Sequence, residues 1–187
     1  MKNMNEIINN LHLEQTITLD DIPNIDLYMD QVIQLFESKF DVTKRTKEEK
    51  VLTKTMINNY AKGKVFFPIK NKKYSKEHLI LLSMIYQLKG SLSINDIKTT
   101  LKSINDKIEK TELDLDALYN KYLTLFSSNV SSFKENVREK AKEVTVEVRQ
   151  LEANNTEELE QVLLIASLIH TSNMYRKVAE KLIDELS

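Results

Sequence analysis

Apolar residues recur at helical spacing over most of the chain, and the breaks between runs fall on polar, proline or glycine positions. Residues 5–19 are weakly patterned and predict an arm or a short helix. Pro23-Asn24 opens the next element, Asp26 caps it, and Leu27, Val32, Leu35, Phe36 and Phe40 give a helix over about 26–40. A polar loop, DVTKRTKEEK, follows. Thr53 then caps a short helix with Met56, Ile57 and Tyr60 turned inward, and Gly63 is placed to end it in a left-handed conformation. Between Lys64 and Tyr74, apolar arms around the basic tip KNKK predict a small β-hairpin with Pro68 on its exposed edge. Ser75 caps a helix carrying Leu79, Leu82, Ile85 and Leu88, which Gly90 stops. Ser93 and Asp96 form a capping box for a helix with Ile94, Ile97, Leu101 and Ile104.

From about Leu113 the pattern lengthens. Leu123, Phe126, Val130, Phe133, Val137, Ala141, Val144, Val148 and Leu151 follow one another mostly at 3–4 spacing, which implies a long helix with a partner along it. A polar turn follows, and Asn155 with Glu158 caps a last helix presenting Leu159, Val162, Leu163, Ala166, Ile169, Val178 and Leu182. The economical result is a helical hairpin. Its seam packs either within one chain or between two copies, with Phe126, Val130, Phe133, Val137, Val144 and Val148 as the dimerisation residues.

Composition narrows the class. In 187 residues there are only two Gly and two Pro, too few for the turns of a sandwich, a barrel or a doubly wound sheet. The absence of cysteine excludes disulfides, thiolate metal sites and thiol catalysis. No apolar run approaches the roughly 20 residues of a membrane span, and the amino-terminal residues lack a signal-peptide core. The expectation is a cytoplasmic, mainly α protein without a membrane segment.

The net charge of −1 hides a segregation. Residues 41–90 hold 12 basic and 4 acidic side chains, a local +8, while residues 1–40 and 91–187 are net acidic. A basic block in an acidic chain is the electrostatic footprint of a polyanion-binding face. Catalysis finds no comparable support. His12, His78 and His170 stand apart without metal-ligand spacing, and the acid pairs Asp20-Asp21 and Glu157-Glu158 suit loops and caps. No cofactor is expected, and an enzyme is not.

The run LTKTMINNYAKGKVFFPIKNKKYSKEHLILLSMIYQLKGSLSINDIKTTL resembles the winged helix–turn–helix domain of MerR-type regulators. Thr53–Lys62 looks like the recognition helix, Tyr60 like its buried aromatic, Phe67-Pro68 like the strand into the wing, and Tyr74-Ser75 like the wing's close. GSLSINDIK is similar to that family's Gly-Phe-Ser-Leu-Glu-Glu-Ile-Lys stretch. Two features differ: the preceding helix is longer and acidic, and the wing tip has Asn71-Lys72-Lys73-Tyr74 in place of Asn-Gly-Tyr-Arg. Through IPNIDLYMDQV and LTKTMINNYAKGK the chain also resembles an uncharacterised family of Gram-positive bacterial proteins, known only as a domain of unknown function.

The resemblance implies an amino-terminal arm (1–25), a winged helix–turn–helix with a small β-hairpin (26–110) and a carboxy-terminal helical hairpin (111–187) that pairs two subunits. The function it implies is sequence-specific binding of double-stranded DNA by a homodimeric transcription regulator. Inward Met56, Ile57 and Tyr60 leave Lys54, Thr55, Asn58, Asn59 and Lys62 to face the major groove, with Asn58 suited to bidentate contact with adenine. Lys70, Lys72 and Lys73 at the hairpin tip would meet phosphates. The rivals are a protein–protein adaptor reusing the winged fold, a regulator that binds an effector without reading bases, and RNA binding, which the lack of surface aromatics disfavours. No residue identifies an effector.

Overall fold

A computed structural model describes residues 4–151 and 156–186. In chain order these form α1 (Met4–Asn10), β1 (Leu27–Tyr28), α2 (Met29–Phe40), α3 (Lys54–Lys62), β2 (Lys73–Tyr74), α4 (Lys76–Leu88), α5 (Ile94–Glu109), α6 (Leu115–Arg149) and α7 (Thr156–Asp184). The fold is mainly α, with β1 and β2 its one antiparallel pair among the described residues. The chain divides into two compact units. One comprises Gln15–Thr124 with Glu180–Ser187, the other Met1–Glu14 with Leu125–Ala179.

The first unit is built around α4. Leu79, Ile80, Leu81, Leu82 and Ile85 are all fully buried, so this helix is covered on more than the single stripe its spacing predicts. A helix apolar on most sides belongs in the middle of a core. Packed into the same cluster are Val32, Phe36 and Phe40 of α2, Ile57 and Tyr60 of α3, Ile97 and Leu101 of α5, and Leu115 and Tyr119 of α6. The buried Tyr119 hydroxyl donates to the Ile17 carbonyl at 2.6 Å and lies 2.8 Å from the Ser83 hydroxyl.

The hairpin expected from residues 64–74 forms differently. β2 pairs with β1, Leu27 opposite Tyr74 and Tyr28 opposite Lys73, and residues 65–69 make no strand. Burial explains this: Val65 and Phe66 sink into the core, and their neighbourhood bonds to a side chain. The Asn105 Oδ1 accepts from the Phe67 N–H at 2.8 Å while its Nδ2 donates to the Val65 carbonyl at 3.0 Å. Pro68 has no N–H to offer a ladder. Pairing by β1 also shortens the helix expected from residue 26. It starts at Met29, and the Tyr28 N–H, not one near Asp26, is capped by Gln31 at 2.9 Å.

The second unit holds α1, most of α6 and most of α7. Ala141, Val144 and Val148 of α6 pack with Leu164 of α7, bordered by Leu168 and Met4. Arg138 Nε donates to Asn5 Oδ1 at 2.8 Å, and Lys134 pairs with Glu14, so α1 and the segment after it are tied to α6. The spacing assigned Leu159, Val162, Leu163, Ala166, Ile169, Val178 and Leu182 to the packed face of the last helix. All seven are exposed. The helix is apolar around most of its circumference, and Leu164 and Leu168 occupy the inward positions instead. The cap assigned to Asn155 lies outside the described residues.

Candidate nucleic-acid interface

The short helix α3 begins where the Thr53 Oγ1 accepts from the Met56 N–H at 3.2 Å. Ile57 and Tyr60 are buried, Met56 half-buried, and Lys54, Thr55, Asn58, Asn59 and Lys62 all exposed. The five nominated side chains therefore share the face turned away from the core. Lys54 forms an exposed ion pair with Asp30 of α2 at 2.7 Å.

The end of α3 corrects the role expected of Gly63. Its φ is −72°, right-handed, and Lys64 takes the left-handed position at φ 54°. The Lys64 N–H bonds the Ala61 carbonyl at 3.1 Å and the Val65 N–H bonds Tyr60 at 3.0 Å, the pattern of a Schellman ending. Gly63 fits the site for another reason: a Cβ there would lie 3.1 Å from Ile94 Cγ2 and 3.2 Å from the Asn59 carbonyl, tighter than ordinary contact. It lets α3 approach α5 closely. Gly90 likewise follows Lys89, the cap of α4, without a left-handed conformation.

Side chains from the core helices hold both flanks of α3. Ahead of it, Lys89 Nζ donates to the Val51 carbonyl at 2.9 Å and sits 4.7 Å over the Tyr86 ring. Burial pushes the Lys89 pKa down. Behind it, Asn105 holds Val65 and Phe67 as described. Neither Lys89 nor Asn105 was legible as a positioning group, because each acts 38 or 40 residues away through a backbone atom that no spacing rule marks.

The basic tip is a tight turn. Lys73 N–H bonds the Lys70 carbonyl at 2.9 Å, with Asn71 and Lys72 both left-handed at φ 51° and 59°. Two consecutive positive φ angles are those of a type I′ turn, whose twist suits a hairpin. Lys70 and Lys72 are exposed, whereas Lys73 is half-buried with its ammonium 5.1 Å over the Tyr28 ring. At the base of this segment His78 is buried: Nε2 lies 3.1 Å from the Phe67 carbonyl, and Nδ1 accepts from the Ser75 N–H at 3.2 Å. Burial lowers the His78 pKa, opposed by the bond to Phe67 and by the charges of Glu77 and Asp26.

Residues 41–53 join α2 to α3, a connection far longer than the 3–4-residue turn of a simple helix–turn–helix. Lys44 within it is engaged by Asp41 and Glu37, which raise its pKa. Arg45, Lys47 and Lys50 are exposed and were not nominated, although the charge block contains them.

The nominated dimerisation residues divide. Val137, Val144 and Val148 are buried within their own chain and are not available to a second copy. Phe126 and Val130 are half-buried, and Phe133 is 43% exposed. Among the described residues no three His, Asp or Glu side chains converge as a metal-binding group, and no helix is long and apolar enough to cross a membrane.

Residues 17–122 match the model of a family described as a domain of unknown function, DUF1836. The match spans more than half of the chain, and the protein belongs to that family. No curated protein and no solved structure matches it.

Proposed function

We propose that this DUF1836 protein binds double-stranded DNA through α3, as a transcription regulator. The observation that carries the reading is the outward face of α3: Lys54, Thr55, Asn58, Asn59 and Lys62 stand exposed over buried Ile57 and Tyr60. A short helix with an exposed polar and cationic face, held at both flanks, suits the major groove. The type I′ turn adds Lys70 and Lys72 within the same basic block, which suits phosphate contact. The resemblance to MerR-type heads supports the same reading, with the long α2–α3 connection as its main departure.

In this reading Asn58 reads base edges, and the lysines supply affinity that salt screens. The ion pair with Asp30 restrains Lys54 until a phosphate replaces it. The test is fluorescence anisotropy against pooled genomic duplexes at roughly 50 and 200 mM salt, beside a Lys54/Asn58/Lys62 triple-alanine variant. Binding that falls by orders of magnitude with salt and is lost in the variant supports the assignment. Asn58→Ala alone should narrow the gap between best and random sequences by about 1–3 kcal/mol. No binding at low salt overturns it and turns attention to an acidic protein partner.

A further inference from the structure

The outer face of α7 is an apolar stripe with nothing of its own unit against it. Val162 is 61% exposed and Ile169 59%, on the side of the helix turned away from Leu164 and Leu168, with Ala166 exposed between them and Ile165, 62% exposed, at the edge of the stripe. Several large aliphatic side chains clustered on one helix face mark an interaction site. Charge along the helix indicates the occupant. Glu157, Glu158 and Glu160 stand at its start, residues 161–175 carry no Asp, Glu, Lys or Arg, and Arg176 and Lys177 follow.

We propose that this face pairs with the same face of a second copy, antiparallel, about a two-fold axis near Ser167. An isologous contact must be complementary to itself. In this direction the acidic start of each helix meets the Arg176-Lys177 pair of the other, Glu158 beside Lys177 of the second copy, while Glu180 and Asp184 lie beyond the overlap. A parallel pairing would set acidic start against acidic start. Along the stripe, Ala166 lies beside Ile169 of the second copy and Val162 beside Asn173, so a small residue accepts the larger one near the axis. The seam first expected on α6 is thereby replaced, since its Val144 and Val148 are already packed against Leu164. This pairing does not rest on the DNA reading.

Sedimentation equilibrium of the full chain tests it. The wild type should be a dimer. Val162→Glu with Ile169→Glu should be a monomer with its helical circular dichroism retained, and Phe133→Glu should remain a dimer. Glu158→Lys should raise the dissociation constant about tenfold, a change of about 1.4 kcal/mol, and adding Lys177→Glu to the same chain should restore it. That rescue reports direction even if the double glutamate variant fails to fold. A monomeric wild type, a dimer that survives the double variant, a dimer broken by Phe133→Glu, or a charge swap without rescue each overturns the proposal.

Discussion

The two units use apolar residues in opposite ways. In the unit around α4 the apolar positions are consumed: five aliphatic residues of that one helix are fully buried, and its neighbours close over them. In the unit around α6 and α7 a short row suffices, Ala141, Val144 and Val148 against Leu164, while larger aliphatic residues remain outside. The first kind of surface holds a fold together, and the second is left facing outward. The exposed polar face of α3 is affordable because its other face is so fully buried, and the exposed apolar face of α7 is the surface on which the proposed self-association rests.

Truncating a core aromatic separates the units most sharply. Phe36→Ala should destabilise the α4 unit by about 3–5 kcal/mol, since the ring is fully buried against Phe40 and Tyr86. Ile169→Ala, an aliphatic truncation on α7, should change stability by about 0.5 kcal/mol or less when measured in the Val162→Glu variant at a concentration where sedimentation shows it monomeric. Urea unfolding of both variants checks the contrast, and equal losses would abolish it. Asn105→Ala comes next. It leaves the Phe67 N–H and the Val65 carbonyl without their partner, at a cost of about 1–3 kcal/mol. Asn105→Asp should not recover this loss, because the oxygen in place of Nδ2 accepts only and would face the Val65 and Leu101 carbonyls, even though the other oxygen can still accept from Phe67.

These residues also show what the amino-acid sequence made legible. The exposed and buried faces of α3 followed from the spacing of Met56, Ile57 and Tyr60, because a single amphipathic turn decides them locally. The caps at Thr53 and Ser93 were readable for the same reason. The partner of β2 was not, since β1 lies more than 40 residues earlier and only two residues pair. Gly63 was misread because glycine marks both left-handed turns and close approaches, and only the position of Ile94 distinguishes them. The last helix failed in another way. Where apolar residues surround a helix, periodicity no longer says which side is inward.

A titration probes the α4 unit by a third route. His78 is buried neutral, and its folded pKa lies below the unfolded value near 6.5. Its contribution is therefore full above pH 6.5 and is lost as the pH falls from there through the lowered folded value, where the unfolded chain takes up the proton first. Stability should decline by at most about 1.4 kcal/mol per pH unit across that window. His78→Gln should flatten this part of the profile, even though it lowers stability at neutral pH. A wild-type curve that stays flat as the pH falls below 6.5 would show that protonated His78 is accommodated.

The smallest effect is the most diagnostic, because one substitution should move two observables in opposite directions. Lys72 occupies the left-handed region at φ 59° without being glycine, and the Lys73–Lys70 bond closes the turn around it. An L-residue there carries roughly 1 kcal/mol of strain that glycine relieves. Glycine also gives the unfolded chain more freedom to lose, so Lys72→Gly should stabilise the α4 unit by only about 0.5 kcal/mol. The same change removes one cation from the exposed tip. If the turn meets phosphate, the salt slope of DNA binding should fall by about one unit while sequence preference stays unchanged. A more stable protein that binds DNA less tightly would separate the turn's structural role from its electrostatic one. Unchanged affinity and slope would take the tip out of the interface and leave α3 to bind alone.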